Sequence, residues 1–252
     1  MTKHMGRVIW RETMTKDVAK AKAFYGGLFG WSFKDMDMGP GGIYPIIENG
    51  GVGIGGMMAL TPEMAKVPAH WTSYVAVKDV DAAVATATQH GGGKTWGPMD
   101  VPNVGRMGGV HGFDGAALSI MKPEGPDQER PARPPVGSFC WETLTTADVD
   151  RAKTFWSAVC GWQTFAGGGM PTFGVAAGME NQVADIQPAQ GPVPPNWLTY
   201  VVVEKIEPSC EKAAKLGGKV MMPAMPVPGI GRIAVIVDDQ GAALGLFEPA
   251  MG

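Results

Sequence analysis

VIWRETMTKDVAKAKAFYGGLFGWSF (residues 8–33) is answered by FCWETLTTADVDRAKTFWSAVCGWQT (139–164), and this correspondence decides the fold. Without a gap, Trp10, Thr15, Asp17, Val18, Ala21, Lys22, Phe24, Gly30 and Trp31 recur as Trp141, Thr146, Asp148, Val149, Ala152, Lys153, Phe155, Gly161 and Trp162. The match resumes in VPNVGRMGGVHGFDGAALSIMKP (101–123) and VPGIGRIAVIVDDQGAALGLFEP (227–249). A long internal repeat means that one structural unit is used more than once. It is also an internal control, because a residue in both copies reads as architecture and a residue in one copy as a candidate for chemistry.

Working outward, each copy has the same order. A short β run (7–14; 138–144) leads to Thr and Asp, which start helices well. Val18, Ala21, Tyr25 and Leu28, and likewise Val149, Ala152, Trp156 and Val159, follow helical spacing. Gly30 and Gly161 stop those helices, since glycine accepts positive φ. Short β runs come next, near 31–34, 43–48 and 52–60 in the first copy. WTSYVAV (71–77) and WLTYVVV (197–203) then open a second unit, with helices over 80–90 and 207–216. Two more β runs close each copy, 105–111 with 117–121 and 231–237 with 243–247. The expectation is an α+β chain of four βαβββ modules.

Between the copies, KPEGPDQERPARPPVG (122–137) carries five prolines and six charges without apolar periodicity, as a stiff solvated linker does. The expected domains are 5–122 and 137–250, joined by 123–136, each of roughly 120 residues. The net charge of −3 and the lack of a basic patch argue against nucleic acid. No stretch approaches the ~20 apolar residues of a membrane span. The N-terminus lacks the apolar core of a signal peptide, so the expected compartment is the cytoplasm. Cys140, Cys160 and Cys210 are too few and scattered for a disulfide framework or metal knuckle, and the first two read as small core residues.

The motifs D-V-x-x-A-x-x-F-[YW]…G-W, Y-V-x-V and G-R…G-A-x-x-x-[LM], repeated in order, resemble the vicinal oxygen chelate superfamily of glyoxalase I, extradiol dioxygenases and bleomycin- and fosfomycin-resistance proteins. The chain is most similar to its tandem "glyoxalase-like" or "predicted hydroxylase" branch. The resemblance implies paired modules curled into a cup. In metal-dependent members, His, Gln or Glu on the first, fourth, fifth and eighth strands hold a divalent ion that polarises two substrate oxygens.

Measured against that pattern, the ligand positions have changed. The first-strand position falls on Trp10 and Trp141, the fifth-strand position on Thr72 and Leu198, and the eighth-strand position on Ser119 and Gly245. The fourth strands (52–60; 182–186) offer Asp185 as their single acid. Indole and isobutyl groups do not ligate such cations, so neither a metal nor another cofactor is expected.

Strand alternation defines the lining. Trp10, Glu12 and Met14 share a face, as do Trp141, Thr143 and Thr145. Thr72 and Tyr74 share another, as do Leu198 and Tyr200; Ser119 with Met121 and Gly245 with Phe247 complete the set. Such an aromatic, Met-rich lining suits a small apolar or aromatic oxygenated molecule. The expected contacts are Trp10, Met14, Thr72, Met121, Trp141, Thr143, Tyr200 and Phe247, with Glu12, Tyr74 and Ser119 as catalytic candidates. Glu12 stands in one copy only, and a carboxylate in an apolar cup has a raised pKa unless it is paired. Its bland alternative is a structural pair with Arg106 or a backbone N–H. The recurring Arg106 and Arg232 read as structural, bridging sheet and loop; His70, His90 and His111 lie at element edges or turns. The Gly-rich stretches read as turns and as strands passing something bulky, not as phosphate loops.

Three functions stay open on this reading. One is a metal-independent enzyme of lyase, isomerase or hydroxylase-like type, and another is a module that sequesters a toxic molecule or antibiotic. The third is a metal enzyme with displaced ligands such as Glu12, Glu48 and His70. The tandem supplies its own pseudo-two-fold partner, so the expected state is a monomer binding a small-molecule ligand.

Overall fold

The computed structural model describes residues 4–125, 131, 133–166 and 169–250. Part of the expected linker, 126–130 and 132, lies outside the described residues. The first module runs β1 (Val8–Thr15), α1 (Val18–Phe29), β2 (Ser32–Asp37), β3 (Ile43–Asn49) and β4 (Val52–Ala59). The second runs β5 (His70–Ala76), α2 (Val80–Gln89), β6 (Gly93–Val101), β7 (Gly105–His111) and β8 (Ala117–Pro123). The third is β9 (Phe139–Thr146), α3 (Val149–Cys160), β10 (Gln163–Ala166), β11 (Pro171–Gly174) and β12 (Gln182–Pro188). The fourth is β13 (Asn196–Val202), α4 (Ile206–Lys215), β14 (Lys219–Val227), β15 (Gly231–Val237) and β16 (Ala243–Pro249).

Two eight-stranded mixed sheets result, ordered β2-β3-β4-β1-β5-β8-β7-β6 and β10-β11-β12-β9-β13-β16-β15-β14. In every module the first and last strands pair in parallel, across the helical crossover. The chain is α+β, with four βαβββ modules. The nine-residue strands β6 and β14 were not marked by any β-rich run. GKTWGPMDV and KVMMPAMPV carry prolines and have exposed or half-buried residues throughout, so neither gives a clean alternation.

Local chemistry explains the helix ends. Asp17 and Asp148 accept hydrogen bonds from the Lys20 and Arg151 amides, while Gly30 and Gly161 take left-handed φ of 74° and 71°. Asp148→Ala is therefore expected to cost about 1 kcal/mol in a urea unfolding series. α4 has no side-chain cap at Lys205; instead Glu248 Oε2 accepts from the Ile206 amide at 3.0 Å.

Contacts divide the chain into two compact units, each taking modules from both sequence copies. Unit 1 comprises Met1–Trp10, Thr72–Ala132 and Trp141–Leu198; unit 2 comprises Arg11–Trp71, Arg133–Cys140 and Thr199–Gly252. Each has its own core. In unit 1, Val80 and Ala83 of α2 and Phe155 and Trp156 of α3 pack with Val75, Ile120, Leu144 and Ala184. In unit 2, Phe24, Tyr25 and Leu28 pack with Ile47, Met57, Val201 and Leu246. The repeated tryptophans after α1 and α3 are architecture. Trp31 Nε1 donates to the Gly137 carbonyl at 2.7 Å in unit 2, and Trp162 Nε1 donates to the Gly6 carbonyl in unit 1.

Both repeated arginines are structural, but they bridge strand to helix. Arg106 forks onto Asp81 in the first turn of α2 at 2.6 and 2.9 Å and reaches Asp100 at 2.8 Å. Arg232 binds Glu207 in the first turn of α4. Arg106 is thus engaged elsewhere, and the expected alternative of a Glu12–Arg106 pair gives way to a different partner.

Candidate functional site

Core membership fixes which strand face is which. Thr13 is paired with Met57, and Ile120 and Leu144 also point to the helices. Alternation therefore turns Glu12, Ser119 and Thr143 the other way, as the sequence implied.

On that face of unit 2, the Glu12 carboxylate is 4% exposed and accepts the Tyr44 hydroxyl at 2.6 Å. Tyr44 comes from β3 and reaches over β4 to β1. Gly56, opposite Glu12 in register, makes this possible, because a Cβ there would overlap the Tyr44 hydroxyl. Met14 lies opposite Met58, Met36 opposite Tyr44, and Ile46 opposite Gly56. Met36 and Met58 are exposed, and Tyr44 and Ile46 half-buried. The result is a phenol–carboxylate pair in a thioether and aliphatic surround.

On the corresponding face of the third module, in unit 1, Asp185 accepts the Trp141 Nε1–H at 2.7 Å and the Thr143 hydroxyl at 2.6 Å, both on Oδ1. Among the described residues, no side chain donates to Oδ2. Burial pushes the Asp185 carboxyl above the usual range, and the Thr143 and Trp141 donors oppose that shift. Alongside, Gln187 Nε2 donates to the Thr145 hydroxyl at 3.1 Å. In the second module of unit 1, the Thr72 and Ser119 hydroxyls share a hydrogen bond of 3.1 Å. The Tyr74 ring meets Trp96 edge-on at 6.2 Å, and Met121 is buried. In the fourth module, of unit 2, the buried Tyr200 stands over Gly245, with Phe247 half-buried on the same strand.

The structure thus joins Trp141 to Thr143 through Asp185, and Thr72 to Ser119, which in turn lies opposite Tyr74. Glu12 belongs to the other unit, as does Met14; Trp10 falls in unit 1. Tyr44 and the role of Asp185 were missed. No signal local to Tyr44 marked it, and Asp185 needed the register of β12. The histidines do local work: His70 Nδ1 lies 2.8 Å from the Pro68 carbonyl, His111 Nδ1 lies 2.9 Å from that of Gly112, and His90 ends α2.

The registers also place the superfamily's acid position in all four modules. Tyr74 faces Ser119 and Tyr200 faces Gly245, so the counterparts on β4 and β12 are Gly56, facing Glu12, and Asp185, facing Thr143. Only one of the four keeps a carboxylate. There, the first-strand ligand position holds an indole, which donates its N–H to Asp185 Oδ1 and offers no lone pair to a cation. Among the described residues no three His, Cys, Asp or Glu side chains gather into a group that could hold an ion, and Glu12, Glu48 and His70 form none. The residues present do not fit the superfamily's divalent metal.

Residues 7–127 match the model of the Glyoxalase/Bleomycin resistance protein/Dioxygenase superfamily. The first sequence copy belongs to that superfamily. Over 96% of its length it is 29% identical to CFP32 of Mycobacterium bovis, covering 94% of that protein. It is 28% identical to the anthracycline biosynthesis protein DauV of Streptomyces sp. (strain C5), covering 96% of this chain and 93% of DauV. The Mn(II)-bound glyoxalase from Novosphingobium aromaticivorans shares the fold with a TM-score of 0.62 at 14% identity, over 97% of this chain and 82% of the other. The 2,3-dioxygenase LapB from Pseudomonas sp. KL28 does so at 0.63 and 11%, over 97% and 92%. Among the described residues, no helix is long and apolar enough to cross a membrane.

Proposed function

We propose that this superfamily member binds a small apolar or aromatic oxygenated molecule on the Glu12–Tyr44 face and moves a proton on it, without the superfamily's metal. The observation that carries this reading is the 2.6 Å phenol–carboxylate pair set among Met14, Met36 and Met58. Thioethers adapt to flat apolar surfaces, and the pair supplies the only polar handle this reading requires. The Glu12 carboxylate takes a proton from an acidic C–H or O–H of the ligand, becoming the neutral acid, and returns it at the same or a neighbouring atom. Tyr44 holds the carboxylate in place through its own O–H. Such chemistry is redox-neutral, of isomerase or lyase type. The name of DauV supports an oxygenated polycyclic aromatic as the ligand class. Tyr74 and Ser119 belong to unit 1 and take no part in this reading. Ser119 is already bonded to Thr72, so Ser119→Ala is expected to leave turnover within a few-fold.

Anthrone, a flat aromatic ketone with an acidic methylene, tests the reading. Its hydrogen exchange in deuterated buffer is followed by NMR, and binding by tryptophan quenching. Glu12→Gln is expected to slow exchange about 100-fold or more while binding changes little, because the amide still accepts from Tyr44. Equal exchange in wild type and variant would remove Glu12 from the chemistry. Tight binding with no exchange above buffer would favour sequestration, which the altered metal positions also suit.

A further inference from the structure

The two equivalent strand pairs, β1/β4 and β9/β12, carry opposite chemistry at matched positions. Met14 and Met58 are replaced by Thr145 and Gln187, Glu12 and Gly56 by Thr143 and Asp185, and Ile46 by Thr172. Only the indoles, Trp10 and Trp141, are retained. We propose that the β9/β12 face of unit 1 is a second small-molecule site, specific for a polyhydroxylated, sugar-like ligand, with Asp185 Oδ2 accepting a ligand hydroxyl.

The geometry supports this assignment in three ways. Trp141 and Thr143 both donate to Oδ1, so the carboxylate is held from one side and Oδ2 receives no side-chain donor among the described residues. Gln187 and Thr145 bond each other at 3.1 Å, which pre-sets an amide and a hydroxyl for vicinal O–H groups. The half-buried Trp141 indole supplies the flat surface against which the C–H face of a sugar ring stacks. A flat apolar ligand would cover Asp185 Oδ2 without giving it a donor, which disfavours it here. The site does not depend on the Glu12 reading, since it shares no residue with it.

The raised Asp185 pKa adds a separate readout. A carboxyl raised in the folded state gives stability that is present below its unfolded pKa and lost as pH rises through the folded value. Asp185→Asn removes that loss and is expected to raise the melting temperature at pH 7, whereas a purely structural carboxylate would lower it when replaced.

Calorimetric titration with methyl glucoside, methyl galactoside and myo-inositol tests the site, the first two arms reporting a glycoside and the third a free cyclitol. The wild type is expected to bind at least one of them. Asp185→Asn should weaken that binding ten-fold or more and leave quenching by 1,8-dihydroxyanthraquinone unchanged. Glu12→Gln should leave sugar binding unchanged. If Asp185→Asn folds poorly, Trp141→Phe keeps a ring, removes the N–H, and is expected to weaken sugar binding as well. Failure of all three ligands to bind the wild type, or equal binding by the variants, overturns the proposal; loss of anthraquinone binding alone in Glu12→Gln concerns only the other face.

Discussion

Asp238→Ala is expected to lower the unfolding free energy by about 3–4 kcal/mol, among the largest single-residue losses in the chain. Asp238 is 4% exposed and holds three donors: the Tyr25 hydroxyl at 2.8 Å and the Gln240 and Ala242 amides at 2.9 and 2.8 Å. Tyr25 in turn accepts the Trp71 indole N–H at 2.8 Å. Alanine strands the Tyr25 hydroxyl and the Ala242 amide in the interior, where each unsatisfied group costs about 1–3 kcal/mol, and removes the acceptor of the part-buried Gln240 amide. The melting temperature should fall by roughly 10 °C at this chain length. Tyr25→Phe should cost less, about 1–3 kcal/mol, because Asp238 keeps its two amides. It should also alter the alkaline limb. Burial, with the Asp238 charge next, pushes the Tyr25 hydroxyl well above the ordinary tyrosine range. The resulting stability is present below the ordinary tyrosine pKa and lost as pH rises towards the folded value. Urea unfolding from pH 8 to 11 should show a decline that Tyr25→Phe flattens; parallel curves for the two proteins would refute the assignment.

The other copy shows that this network is an option of the fold, not a requirement. Trp156 stands at Tyr25's place and Gly112 at Asp238's, where a Cβ would meet Trp156 Cζ2 at 3.5 Å. The Trp197 Nε1–H, counterpart of Trp71's, is buried with no partner among the described residues. The larger indole fills the space by packing, edge-on to Trp197 at 5.2 Å, instead of by a hydrogen-bonded chain. The two substitutions go together, because an aspartate at 112 would find no hydroxyl.

Repetition made most of the fold legible. Caps, αL glycines and alternation recur at fixed offsets and act within a few residues of themselves, so a single chain displays them twice. Alternation puts Glu12 and Thr143 on the face away from the helices for the same reason. What stayed hidden was non-local. Matched position by position along the sequence, the copies leave Glu12 as an acid in one of them alone. In space, each copy sets one carboxylate on the same strand pair, Glu12 from the first strand and Asp185 from the last. An exchange across a parallel ladder cannot be read until the register is known. Tyr44 was invisible for a related reason: its role depends on a glycine of β4, the strand beside its own β3, and on a carboxylate one strand further, on β1. The stretch around Gly56 did announce a strand passing something bulky, but it did not say what.

That glycine carries the second large effect. Gly56→Val is expected to abolish the Glu12–Tyr44 pair, since its side chain would occupy the place of the Tyr44 hydroxyl. The lost charge-assisted bond is worth about 1.5–3 kcal/mol, and overpacking adds about 1–3 kcal/mol. With the phenol displaced, Glu12 loses a donor that orients it, and anthrone exchange should fall about 100-fold, into the range of a lost acid–base group. Tyr44→Phe separates the two causes. It removes the hydroxyl, leaves Gly56 open, and should reproduce most of the loss of exchange at a smaller cost in stability. Gly245→Val is the matched control. It crowds Tyr200 within unit 2 in the same way without touching Glu12, so it should destabilise while sparing exchange per folded molecule. If Gly56→Val and Gly245→Val lose exchange equally once corrected for folded fraction, the pair is only packing. Selective loss at Gly56 and Tyr44 would instead mean that the glycine is retained to admit the phenol.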